Sequence, residues 1–157
     1  MRRKLAAGNW KMNGTGAELA ELAALAQSHP APEGTNILIC PPATLLSRAA
    51  DTTRGGPVQV GGQDCHAAAS GAHTGDLSAA MLLDAGASAV ILGHSERRAD
   101  HGETDAIVLA KAAAAIAAGL LAVVCLGATP DERAAGQPTA AGGPQAAGSV
   151  PAGPTRA

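Results

Sequence analysis

Aromatic side chains are almost missing from this chain of 157 residues: Trp10 stands alone, with no Phe and no Tyr. Aromatics usually supply the largest blocks of buried area, so a core here must rest on Leu, Ile, Val and the abundant Ala, and it is thin. No run of one charge sign occurs, with 11 Lys and Arg against 13 Asp and Glu. That balance speaks against nucleic acid or an anionic membrane as a partner. Long hydrophobic runs are also lacking. A stretch such as Leu120 to Leu126 is far too short to span a bilayer. The basic start Met1-Arg2-Arg3-Lys4-Leu5 meets Asn9-Trp10-Lys11 before any long apolar region, so no secretory signal is expected. Cysteine is scarce and odd in number: three, without C-x-x-C spacing. This predicts buried thiols in a reducing compartment, and a soluble cytoplasmic protein.

What is present is a recurring pattern of short apolar runs with helical periodicity between them. Strands are expected at Leu5–Ala7, Ile37–Cys40, Val58–Val60, Ala89–Leu92 and Ala122–Leu126. Helices are expected near Ala17–Gln27, Ala43–Ala50, Ser78–Ala85 and Thr104–Ala118, with Thr129 to Arg133 opening a fifth. Ser78 and Thr104 sit where N-caps belong, and Pro41-Pro42 stops the second strand. Strand starts fall about 20 to 35 residues apart, the period of repeated βα units with a parallel sheet, so the fold class is α/β.

Two segments break that rhythm. Residues 61–77 form a long glycine-rich polar loop, a length that usually signals function or a partner. Residues 137–157 form a tail in which fourteen of 21 residues are Ala, Gly or Pro and only Arg156 is charged. Such a tail buries too little to order itself, so disorder is expected there, with a boundary near Gly136.

Candidate chemistry gathers at strand ends, where ligands bind in α/β folds. Ala89-Val90-Ile91-Leu92 reads as a strand buried on both faces, and Gly93-His94-Ser95-Glu96-Arg97-Arg98 follows it. His94 lies at a helix N-terminus, where the dipole disfavours the imidazolium and a neutral ring can donate to a substrate carbonyl. In isolation a structural histidine is the commoner case. The first strand leads into Asn9-Trp10-Lys11-Met12-Asn13-Gly14, an amide and an ammonium that can face one anionic or carbonyl-bearing ligand. On spacing alone this is a solvated loop; His94 leaving the same sheet edge raises the functional reading. One of the two arginines is expected to pair with a loop acid, for which Asp76 is the candidate. Cys65-His66 with His73 fits no zinc spacing, so no metal is expected. His29 and His101 read as surface residues, and Cys40 and Cys125 as inert buried thiols. No G-x-G-x-x-G or G-x-x-x-x-G-K-[ST] occurs, so no dinucleotide or nucleoside triphosphate site is supported.

Together these motifs resemble the triosephosphate isomerase family. Asn9-Trp10-Lys11-Met12-Asn13 is similar to its first-strand motif. Gly71-Ala72-His73-Thr74-Gly75-Asp76-Leu77-Ser78 resembles its third loop, Gly93–Arg98 its fourth-strand signature, and Cys125-Leu126-Gly127 its fifth-strand end. The resemblance covers about residues 4–136 and implies an incomplete (β/α)8 barrel of about five strands and four to five helices. A complete barrel needs about 250 residues. It implies interconversion of dihydroxyacetone phosphate and glyceraldehyde 3-phosphate, a step of glycolysis and gluconeogenesis, without metal or organic cofactor. Asn9 and Lys11 would contact substrate, His94 would polarise its carbonyl, and Glu96 would support Lys11. Asp76 and Arg97 would form a structural ion pair. Thr74 would enter a partner subunit, making loop 61–77 the contact of a homodimer. Ala128 stands where the family usually has glutamate, and Asp76 where glutamate is more usual. The family's glutamate base, its lid and its later phosphate loops have no counterpart among these residues, and no acid follows Glu132. Activity of this chain alone is therefore expected to be negligible. The alternative is a non-catalytic fragment that acts as an interaction or complementation module.

Overall fold

The computed structural model describes residues 4–28, 35–127 and 138–152. Its frame is a five-stranded parallel sheet in the order β1-β2-β3-β4-β5. The strands are β1 Lys4–Asn9, β2 Thr35–Cys40, β3 Val58–Gly62, β4 Ala89–Leu92 and β5 Leu121–Val124. Neighbours in sequence are neighbours in space, each parallel pair joined by a connection that contains helix. All five expected strands are found, within a few residues at their ends. This is the first part of a (β/α)8 barrel.

The helices are α1 Leu19–Ser28, α2 Leu46–Thr52, α3 Ala79–Asp84, α4 Ser95–Asp100, α5 Asp105–Ala118 and α6 Pro138–Ser149. Their starts follow capping chemistry. The Ser78 hydroxyl accepts the Met81 N–H at 3.3 Å, and the Thr104 hydroxyl accepts the Ile107 N–H at 3.3 Å. Ahead of α1, a 3-10 turn opens on a capping box, with the Thr15 N–H donating to Glu18 at 2.6 Å.

Alternation along the strands divides the apolar residues into two clusters. Val90 and Leu92 face the helices and pack with Leu22, Leu46, Leu82, Val108 and Ala112. Ala89 and Ile91 face the other way and join Leu38 and Cys40, with no helical residue among them. β4 is buried along its whole length, whereas β1 exposes Lys4 to Ala7 at the open edge. The apolar run at Ala89–Leu92 is thus explained by burial on both faces.

The tail differs from its expectation. Residues 138–149 form α6, which packs on α5, instead of staying disordered. Pro138 occupies the first helical position, where its missing N–H costs nothing, and alanine favours helix. Composition alone treats those alanines as low complexity, while docking on α5 supplies the stability. Ser149 is fully buried at this contact. Gly148 runs so close to α5 that a Cβ there would lie 3.0 Å from Asp105. The expected helix start at Thr129, the substitution at Ala128 and the boundary near Gly136 lie outside the described residues, as does His29.

The two clusters predict unequal costs for neighbouring truncations. Leu92→Ala, in the helix-facing core, should lose about 2–5 kcal/mol in urea unfolding. Ile91→Ala, on the face without helices, should lose clearly less. Equal losses would show that the helix-facing cluster is not the dominant core.

Candidate active site

Every candidate stands at the carboxyl edge of the sheet. β1 ends at Asn9, and the chain then turns sharply through Lys11, which has a left-handed φ of 56°. A lysine tolerates that conformation only when held, and both of its peptide groups are. Its N–H donates to the Asn9 side chain at 2.8 Å, and its carbonyl accepts from the Gln63 amide at 2.8 Å. Gln63 also donates to the Cys40 carbonyl at 2.9 Å, tying the loop after β1 to the ends of β2 and β3. Sequence reasoning missed Gln63, because only the sheet order places it beside Lys11.

The turn aims the Lys11 ammonium at α4, where Nζ lies 2.5 Å from a Glu96 carboxylate oxygen. The hydrogen bond from Lys11, with the charge of its ammonium, holds the Glu96 carboxyl below its usual range against the opposing effect of burial. His94 is the N-cap of α4, and its Nδ1 accepts the Glu96 N–H at 3.3 Å. That bond needs an unprotonated Nδ1, so the neutral ring carries its proton on Nε2. Nδ1 also lies 3.4 Å from Glu96 Oε2, a contact that becomes an ion pair only when the ring is protonated. Structure thus brings Asn9, Lys11, His94 and Glu96 together, with an ammonium, an N–H donor and a carboxylate at one edge.

Below this edge two arginines do different work. Gly93, with φ of 64°, allows β4 to turn into α4. A Cβ there would meet Val108 at 2.8 Å and Arg98 at 2.9 Å. Arg98 Nε donates to the Gly93 carbonyl at 2.8 Å, its Nη1 pairs with Asp105 at 2.7 Å, and its Nη2 reaches the Ser149 hydroxyl at 3.1 Å. Ser149 in turn donates to Asp105 at 2.8 Å, and this bond, with Arg98, holds the Asp105 carboxyl low.

Arg97 does not pair with Asp76 as expected. Its guanidinium instead meets Asp64 at 3.0 Å and Glu103 at 2.7 Å. Asp64 lies just past the end of β3, beneath α4, whereas Asp76 stands exposed on the returning arm of the loop. Lys111 completes the group, 2.7 Å from Asp64 and 2.6 Å from Glu103. Burial raises the Asp64 carboxyl; it opposes ionisation of Glu103 too, but there the hydrogen bonds from Lys111 and Arg97 prevail and the carboxyl is lowered. Two cations and two carboxylates thus pair with one another under the site, with Glu103 Oε2 left buried and without a hydrogen-bond partner among the described residues. Asp64, Glu103 and Lys111 were not singled out from sequence, since the pairs bridge up to 47 positions. Burial pushes the Cys40 thiol up to about 12, in keeping with an inert role. Thr74 lies exposed at the tip of the third loop, in a turn closed by the Asp76 N–H donating to the His73 carbonyl at 3.0 Å.

A parallel β/α sheet with this edge defines the barrel class of protein. Comparison with known proteins narrows the class. The sequence model of triosephosphate isomerase matches residues 4–154. A triosephosphate isomerase of Ruegeria pomeroyi is 65% identical over 153 residues, covering 98% of this chain and 61% of the relative. One from a Ruegeria species, strain TM1040, is 68% identical over 155 residues, with 99% and 62% covered. The crystal structure of triosephosphate isomerase from Bartonella henselae superposes with a TM-score of 0.91 at 51% identity, covering 98% of this chain and 64% of that one. The chain belongs to the triosephosphate isomerase family. It spans about 61% of the length of such relatives, and the match reaches well past Gly136 into α6.

Two outcomes check the site. Lys11→Met should raise the titration midpoint of Glu96, followed by carboxyl carbon NMR, towards that of an unpaired glutamate; an unchanged midpoint would show that the pair does not form. Lys111→Met leaves the buried Glu103 and half-buried Asp64 carboxylates facing only Arg97, and should cost about 3 kcal/mol or more in urea unfolding.

Proposed function

We propose that this chain carries the electrophilic and charge-handling part of a triose-phosphate isomerase. The interconversion of dihydroxyacetone phosphate and glyceraldehyde 3-phosphate passes through an enediolate, whose oxygens need donors and positive charge. His94 serves as the neutral acid, its Nε2–H polarising the substrate carbonyl. Lys11 uses one of its three N–H groups on Glu96 and keeps the others for phosphate and enediolate oxygens. Asn9, besides holding the Lys11 turn, contacts substrate. Glu96 positions Lys11 and so acts through it. The observation that carries this reading is that the Lys11 ammonium bonds the Glu96 carboxylate while His94 Nδ1 accepts the Glu96 N–H, so one residue holds the ammonium and the imidazole at the same point of the sheet edge.

Proton abstraction needs a base placed over the substrate carbon. Glu96 is engaged by Lys11, and His94 already serves as the electrophile. The chain therefore binds and polarises without turning substrate over by itself. Loop 61–77, with Thr74 at its tip, is the surface proposed for homodimer contact. No helix among the described residues is long and apolar enough to cross a membrane, and we place the protein in the cytoplasm.

A second reading is favoured by the exposed edge at Lys4 to Ala7 of β1: the chain complements a separate polypeptide that supplies the remaining strands. One experiment addresses both. The purified chain should give no turnover of either triose phosphate above buffer. Adding the C-terminal remainder of the Ruegeria pomeroyi relative as a separate chain should restore isomerisation. His94→Asn should then lower the restored rate at least about a hundredfold. Full turnover by the chain alone, or a restored rate indifferent to His94, would overturn the assignment.

A further inference from the structure

The third loop holds a group that no part of the isomerase chemistry uses. Its two arms are tied at the base, where the His66 N–H donates to the Leu77 carbonyl at 2.7 Å and His66 bridges Ser78. This closure folds His73 back over His66, with ring centroids 3.9 Å apart. Asp76, at the end of the turn opened by His73, comes to the same place. One ligand atom from each of His66, His73 and Asp76 lies within 4.8 Å of the other two.

We propose that His66, His73 and Asp76 form a binding site for one divalent transition-metal ion of the zinc class. Two imidazoles and a carboxylate are the donor set that suits zinc, cobalt and nickel. Three protein donors leave one position of a tetrahedral ion for water or a further ligand. Bonds of about 2.1 Å place tetrahedral donors about 3.4 Å apart, so the donors must close by an ångström or so. In the single chain His73 and Asp76 lie on an exposed turn and have room to do this before the loop makes the dimer contact proposed above. Spacing in sequence conceals the site, because the ligands come from both arms of a loop.

Neighbouring groups define how the ion is held. Cys65 is not a donor: its side chain is buried and turned towards the Lys111 carbonyl. In the metal-free chain the Ala68 N–H donates to His66 Nδ1 at 2.9 Å, leaving the ring proton on Nε2. Metal binding at Nε2 moves that proton to Nδ1 and releases the Ala68 bond. One neutral hydrogen bond is a small loss beside a metal–nitrogen bond, and its release is a local reporter of binding.

The test uses the intact chain with Zn2+ in calorimetry and Co2+ in visible absorption. One metal per chain is expected, with the d–d bands of low-coordinate cobalt, no thiolate charge transfer, and a shift of the Ala68 amide resonance. His73→Ala and Asp76→Asn, both exposed and harmless to the core, should each weaken binding at least about tenfold. His101→Ala, at the exposed end of α4, should leave it unchanged. Thiolate absorption, one metal shared by two chains, an unmoved Ala68 amide, or undiminished binding in His73→Ala would each overturn the assignment. None of these readouts depends on isomerase activity.

Discussion

The guanidinium of Arg98 is the contact on which the edge of this sheet depends. From α4 it grips the Gly93 carbonyl at the end of β4, the Asp105 carboxylate that opens α5, and the Ser149 hydroxyl that ends α6. His94 follows Gly93 directly, so the imidazole inherits its position from this grip. A planar fork with several donors can hold three elements at once, which an ammonium on a flexible stem does not do as well. The same contact explains the order found in α6. That helix is rich in glycine and interrupted by Pro144, so its local propensity is poor. Its anchor is the side-chain network at Arg98 and its packing on α5.

Arg97, one position earlier, points to the other side and has a different physical task. It enters a nearly closed set of charges with Asp64, Glu103 and Lys111 beneath the loop after β3. Buried charges are tolerated because each finds an opposite partner, and their desolvation leaves little net gain in stability. Their value here is positional. They fix the end of β3 against α4 and α5, so the Gln63 amide is held where it can lock the Lys11 turn.

Much of this was legible in the sequence because it depends on local rules. Ala89–Leu92 is apolar without alternation, Gly93 breaks the strand, and Ser78 and Thr104 carry the oxygens that cap helices. The gathering of Asn9, Lys11 and His94 followed from placing two strand ends on one sheet edge, whereas the place of Glu96 beside Lys11 was implied only by the family resemblance. What was not legible depends on distance in sequence. Asp64 lies 47 positions from Lys111, and nothing in either neighbourhood announces the pair. Asp76 looked the better partner for Arg97 because its motif was the more conspicuous. The shorter path from β3 to α4 favours Asp64. Composition misled at residues 138–149, since alanine counts both as low complexity and as the best helix former, and only the neighbouring surface decides between them.

The arrangement also separates placing a catalytic group from supplying a reaction. β1 is an edge strand, exposed over Lys4 to Ala7, and by packing alone Lys11 would be poorly fixed. It is fixed instead by Asn9 and Gln63 on its backbone and by Glu96 on its ammonium. These contacts run from β1 across to α4 entirely within the described strands, and the helix-facing cluster that supports β4 is equally self-contained. The charge and the donor are therefore set by the first five βα units. On the reading proposed above, proton abstraction needs a base besides His94 and Glu96, which already serve as donor and as the partner of Lys11. On that same reading, a barrel built from repeated units divides its chemistry by unit, and this chain holds the part that polarises.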